Sequence, residues 1–130
     1  MEVGIDIIEI QRIQQALSQF KGFEERILAD GELTIFNNYA FSRQLTFLAG
    51  RFAAKEAYAK ALGCGLGRLR FNQIEILNDP LGRPELIKGP LVREVKLSIS
   101  HCQSYASAVC LIEADRDHIA KALTQFFNPR

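Results

Sequence analysis

The sequence predicts an α+β chain in which a small antiparallel sheet packs against one long helix and several shorter ones. Three observations carry that expectation. Residues 43–62 are rich in Ala and Leu, with one glycine and no proline. Segments near the start and in the last third alternate apolar and polar side chains with a period of two. The stretches between them repeat apolar residues every three or four positions, the spacing of an amphipathic helix.

The elements follow in chain order. Val3, Ile5 and Ile7 alternate with Gly4, Asp6 and Ile8, a short strand that sets Asp6 on the opposite side from the first three. From Ile10 the period lengthens through Ile13, Leu17 and Phe20, giving a helix that stops before Gly22. FEERIL supports a second short helical piece. DGELTIFNNYA supports a third, with Leu33, Phe36 and Tyr39 as its stripe and the turn-forming Asn37 and Asn38 closing it. The long helix over 43–62 comes next. Its Gly50 costs about 1 kcal/mol against alanine, so it marks a close approach by another element. A strand around 74–77, a turn over 79–82 and a short return follow. Val95, Leu97 and Ile99 alternate with Lys96, Ser98 and Ser100; after a break at 101–104 the run YASAVCLIE resumes the pattern, which makes a strand pair. Ile119, Leu123, Phe126 and Phe127 give a C-terminal helix ended by Asn128 and Pro129.

A length of 130 residues suits one domain spanning 1–130. With 48% hydrophobic residues, 24% charged and a net charge of +1, neither general disorder nor bulk attraction to nucleic acid is expected. The start MEVGIDIIEI lacks a basic region followed by a long apolar stretch, and no uncharged apolar run approaches membrane-spanning length. A cytoplasmic protein that meets no membrane is expected. Cys64, Cys102 and Cys110 form an odd set without a CxxC pair, so reduced thiols fit better than a disulfide framework or a zinc site.

Chemistry concentrates on few residues. Asp6 lies among apolar neighbours, and an acid there needs a cation or a donor if the strand is buried. In RFAAKEAYAKALGCGLG the stripe of Leu45, Leu48 and Phe52 continues into Glu56, Lys60 and Gly63. As a surface pair, Glu56 and Lys60 are worth only about 0.3 to 0.5 kcal/mol. Paired with Asp6, Glu56 acquires a chemical reason: two carboxylates from separate elements hold a Mg²⁺ that keeps waters and accepts phosphate oxygens. Lys60 then reads as a phosphate-directed charge rather than an ion-pair partner. Gly63, Gly65 and Gly67 let backbone N–H groups approach a ligand, or simply stop the helix; their spacing fits neither a Walker loop nor a dinucleotide fingerprint. His101, at a strand end, is a phosphate donor or an ordinary hairpin histidine. Cys102 is a poor nucleophile candidate because adjacent strand residues face apart and no orienting acid accompanies it. Arg12, with Lys21 and Arg26, lies on a solvated face and is the place to meet an acidic partner.

GIDIIEI near the start, FLAGRFAAKEAYAKALGCGLG in the middle and LSISH with YASAV near the end resemble the bacterial holo-acyl-carrier-protein synthases, the small 4′-phosphopantetheinyl transferases. The resemblance covers most of the chain in the right order. It implies the 4′-phosphopantetheinyl transferase fold, assembled as a homotrimer with sites at the subunit clefts. It implies transfer of 4′-phosphopantetheine from coenzyme A to a serine of apo acyl carrier protein, with release of adenosine 3′,5′-bisphosphate; fatty-acid biosynthesis is the usual setting for this size class, with polyketide and other carriers left open. It places Asp6 and Glu56 on the Mg²⁺ ligands and Lys60 near the pyrophosphate. His101, Arg51 and the turn from Gly82 to Pro84 match positions near coenzyme A, as does Arg43. Arg12 resembles a first-helix arginine that contacts the carrier. The segment from Asp115 is longer than usual for the family, and either covers a trimer surface or packs on the outside. A protein of the same fold that binds coenzyme A or a nucleotide without catalysis is the alternative.

Overall fold

The computed structural model describes residues 1–129. β1 (Glu2–Glu9) runs directly into α1 (Ile10–Gln19), followed by the short helices α2 (Phe23–Ile27) and α3 (Asp30–Asn37). The long α4 (Phe41–Leu62) leads through a 3-10 turn at Phe71–Gln73 to a hairpin of β2 (Glu75–Asn78) and β3 (Pro84–Lys88). β4 (Val95–His101), β5 (Tyr105–Ile112) and α5 (Arg116–Phe127) complete the chain. The expected elements are all present, and the differences lie at their ends. α4 starts at Phe41 instead of residue 43. β2 starts at Glu75 because the N–H of Ile74 closes the preceding turn on the Phe71 carbonyl at 3.1 Å. His101 is still paired, opposite Ala106, and so belongs to β4.

β1, β5 and β4 form an antiparallel sheet in that order, while β2 and β3 pair only with each other. The register aligns Asp6 with Ala108 and Ile99 in one row, and Ile8 with Ala106 and His101 in the next. Strand alternation puts Gly4, Asp6 and Ile8 on the face that packs on α4. Gly4 shows how tight that packing is: a Cβ there would stand 1.9 Å from the Ala57 carbonyl oxygen and 2.8 Å from the Ala61 nitrogen. α4 meets the sheet with small residues of its own, Ala53, Ala57 and Ala61, all buried. Gly50 faces Ile99, whose Cγ2 is 3.1 Å from where a Cβ would lie, so it does mark a close approach.

The other face of β1 is bare. Val3, Ile5 and Ile7 are 62%, 66% and 66% exposed. The register sets Val3 beside Leu111, and Ile5 beside Val109. These residues make an outward apolar strip on the sheet.

Two buried clusters flank α4. One gathers Ala57, Tyr58, Ile74, Ile76, Cys110 and Ile112; the other gathers Ile13, Leu28, Phe36 and Leu48 beneath the first three helices. α5 packs on the first cluster through buried Ile119, with Leu123, Phe126 and Phe127. The segment after Asp115 therefore covers the core of its own chain. Asp115 caps the helix by accepting the His118 N–H at 2.8 Å.

Candidate functional site

The closeness of β1 to α4 brings three candidate side chains together. The Lys60 ammonium donates to Asp6 Oδ1 at 3.3 Å and to the Ile5 carbonyl at 2.9 Å. Lys60 is thus an ion-pair partner after all, to Asp6 and not to Glu56, because Gly4 lets the helix lie within reach of the strand. Its side chain remains 52% exposed against 17% for Asp6, so the group opens to solvent on the lysine side.

Glu56 lies one turn before Lys60 on the same helical stripe. Partial burial pushes its carboxyl above the ordinary value, the charge of Asp6 adds to the rise, and Lys60 opposes it. An acid pair in which the charge of Asp6 raises the cost of ionising Glu56, with oxygen donors only, is the donor chemistry of a hard divalent cation. Among the described residues, no group of three or more His, Cys, Asp or Glu gathers as a closed metal cage. Two carboxylates are what Mg²⁺ uses when waters and substrate phosphates complete its octahedron, so Asp6 and Glu56 fit that ion and not a structural zinc.

The remaining residues expected at a site are spread out. His101 is exposed at the end of β4, two strands from β1 and one row from Asp6. At a strand spacing of about 4.8 Å, its Cα lies on the order of 10 Å away on the same face. Cys102 beside it is exposed, and the N–H groups of Ser104 and Tyr105 pull its thiol below the ordinary value without supplying an orienting acid. Arg43 is on the first turn of α4, with its guanidinium carbon 4.3 Å over the Tyr39 ring. Thirteen residues of helix separate it from Glu56, about 20 Å. Arg12 and Lys21 are exposed on α1 and in the loop after it.

Gly63 ends α4 in the left-handed conformation, φ 84°, with its N–H on the Ala59 and Lys60 carbonyls. Gly65 follows at φ 66° and donates to Ala59 as well. The glycines are a helix stop in geometry, placed one turn past Lys60. Pro84 opens β3 after a turn organised by Asp79, whose carboxylate accepts from the Leu81 and Arg83 N–H groups and the Arg83 side chain.

Arg51 is 5% exposed and turned toward the hairpin: Nε donates to the Ile76 carbonyl at 3.0 Å and Nη2 to Asn78 Oδ1 at 3.2 Å. It holds in place the strand that leads to the Pro84 turn. Sequence reasoning passed over its neighbours Lys55 and Glu32, both fully buried and joined as an ion pair. The available signal was the position of Lys55 one turn after Arg51 on an alanine-lined flank; nothing in the sequence named Glu32 as its partner.

A model described as the 4′-phosphopantetheinyl transferase superfamily matches residues 2–110, and the chain belongs to that family. It is an enzyme of the phosphopantetheinyl transferase class. Its relatives narrow the kind. The holo-[acyl-carrier-protein] synthase of Streptococcus pyogenes serotype M28 is 46% identical over 110 residues, 85% of this chain and 93% of that one. A crystal structure of a holo-(acyl-carrier-protein) synthase from Bacillus anthracis, in complex with CoA (3′,5′-ADP), superposes with a TM-score of 0.79 at 44% identity, covering 88% of this chain and 96% of that one. The Helicobacter pylori enzyme in complex with coenzyme A gives 0.73 at 33% identity, covering 85% and 99%. α5 lies beyond the residues matched by the family model.

Proposed function

We propose that the protein is a Mg²⁺-dependent holo-[acyl-carrier-protein] synthase, one transferase domain that moves 4′-phosphopantetheine from coenzyme A to a serine of an apo acyl carrier protein. The observation that carries the reading is the joining of Asp6, Glu56 and Lys60 at the contact of β1 with α4, in a chain of this family. In the reaction the serine Oγ forms a bond to the β-phosphorus of coenzyme A. The P–O bond to the α-phosphate side breaks, adenosine 3′,5′-bisphosphate leaves, and the serine proton is lost. The nucleophile belongs to the partner, which accounts for a site without a Ser-His-Asp arrangement.

Asp6 and Glu56 would hold the Mg²⁺, which when bound would neutralise pyrophosphate charge. Lys60, half exposed at the edge of the group, would place a further positive charge at the phosphates or take up the serine proton. His101, Arg43, Arg51, Gly63, Gly65 and Pro84 contact coenzyme A, and Arg12 with Lys21 meets the acidic carrier. Arg51 acts mostly through the hairpin it holds.

The spread of these residues over one chain supports a homotrimer, in which a neighbouring copy completes each cleft. The apolar strip of Val3, Ile5, Ile7, Val109 and Leu111 is the surface such an assembly would cover. No helix among the described residues is long and apolar enough to cross a membrane. A cytoplasmic enzyme of fatty-acid biosynthesis is the setting we infer.

The test is direct. The protein is incubated with coenzyme A, Mg²⁺ and a panel of apo carrier proteins, and each carrier is weighed by mass spectrometry. A gain of one phosphopantetheine that disappears with chelator is expected. No gain on any carrier, or full activity in Glu56→Ala, would sink the reading.

A further inference from the structure

On the flank of α4 away from the sheet, polar side chains are buried in a shell built from three other elements. The Lys55 ammonium donates to Glu32 Oε1 at 2.5 Å, to the Ile27 carbonyl at 2.7 Å and to the Phe71 carbonyl at 3.1 Å. All three of its donors are used. Glu32 is shared further: Oε1 accepts the Ala29 N–H at 2.8 Å, and Oε2 accepts the Ile76 N–H at 2.9 Å with Arg51 Nε 3.9 Å away. Directly, and through Lys55 to the end of α2, one carboxylate thus ties α3, β2 and two residues of α4 together. Burial pulls the Lys55 ammonium below the ordinary lysine value, and Glu32 opposes that pull.

Stability alone does not account for such a group, since well-packed apolar side chains in place of a buried ion pair are often as stable or more so. Geometry does account for it. α4 meets the sheet through Gly50, Ala53, Ala57 and Ala61, a smooth surface with few protrusions to resist a roll of the helix about its own axis. Lys55, locked to acceptors on three elements, resists that roll from the opposite flank. Glu56 is the next residue and Lys60 lies one turn further on, so any roll moves both with respect to Asp6. At a helix radius of about 5 to 6 Å, a roll of about 10° shifts a side chain by about 1 Å. A misplacement of that size costs about 10²-fold in rate.

We propose that Glu32 and Lys55 are positioning residues for the transfer: their pair sets the roll of α4 and so aims Glu56 and Lys60 at Asp6. This rests on the transferase reading above. It assigns to a buried pair, distant from any substrate, a share in kcat that is separable from its share in folding.

The experiment compares wild type with the double variant Glu32→Gln/Lys55→Met, which removes both charges at once. Three quantities are measured: the urea midpoint, kcat and KM for coenzyme A with a competent carrier, and Mn²⁺ affinity of the free enzyme by electron paramagnetic resonance. The expected result is a midpoint close to wild type, kcat lowered by about 10²-fold, KM for coenzyme A changed less than about threefold, and weaker Mn²⁺ binding. A double variant that keeps its midpoint and also keeps kcat and Mn²⁺ affinity overturns the proposal, for the pair is then only structural. If the double variant does not fold, Glu32→Asp decides by the same criteria, since it retains the charge and moves it by one methylene. A wild type that transfers nothing defeats the transferase reading instead, and Mn²⁺ affinity then remains the arbiter of the clamp.

Discussion

Gly4 on β1 lies directly against the backbone of Ala57 on α4, with no room for a side chain between them. The whole acid and lysine group depends on this contact, because it sets how near the strand carrying Asp6 comes to the helix carrying Glu56 and Lys60. Gly4→Ala puts a methyl 1.9 Å from a carbonyl oxygen that cannot move without bending the helix. A loss of about 3 kcal/mol or more is expected, at the upper end of overpacking costs, measured as a fall in the urea midpoint. The surviving folded protein should transfer far more slowly than wild type.

Glu56→Gln separates stability from activity. Glu56 is raised above the ordinary carboxylate value, so the native state binds its proton more tightly than the unfolded state does. Stability therefore falls as pH rises from about the ordinary value of 4.5 through the raised one, and the cost persists above that window. Glutamine removes that dependence. The variant should show a higher urea midpoint than wild type at pH 7, a flatter stability profile above pH 4.5, and transfer reduced by about 10²-fold or more. A midpoint at pH 7 below that of wild type would contradict the assignment.

Tyr58→Phe is the matching control within the core. The Tyr58 hydroxyl donates to the Leu91 carbonyl at 2.6 Å and accepts the Leu91 N–H at 3.0 Å, pinning the segment before β4 to α4. Phenylalanine fills the same space and leaves both backbone groups unpaired, at a cost of about 1 to 3 kcal/mol. Thermal unfolding should record that loss while kcat stays within a few-fold of wild type.

Arg12→Glu probes the proposed carrier surface. Arg12 is the one charged residue on α1, and it is exposed. Reversing it should raise KM for an acidic carrier about tenfold at low salt, with the difference shrinking as salt is added. KM for coenzyme A should not change.

Much of this was readable from the chain itself. Period and length identified β1, α4 and the β4–β5 pair, and the four-residue step from Glu56 to Lys60 put both on one stripe. Two things were not readable. Alternation in β1 separates two faces but does not say which is buried, and the apolar set of Val3, Ile5 and Ile7 is the exposed one. Gly4 held the answer, since only a residue without a side chain admits a helix so close. The Glu32–Lys55 pair spans twenty-three positions, and its members meet only because α3 folds back on α4. A lysine among alanines reads as solvated until its three acceptors are seen.

β1 has Asp6 on one side and the exposed Ile5 and Ile7 on the other, and neighbouring residues of a strand share one backbone. In the proposed trimer, pressure on the outer isoleucines from adjoining subunits would thus be transmitted to the height of the inner carboxylate. Dilution would become an inhibitor by this route: subunits of the proposed trimer separated at nanomolar concentration would lose the brace behind the strand that carries Asp6, together with the far wall of the cleft. Specific activity should therefore fall on dilution in step with dissociation, and return on concentration.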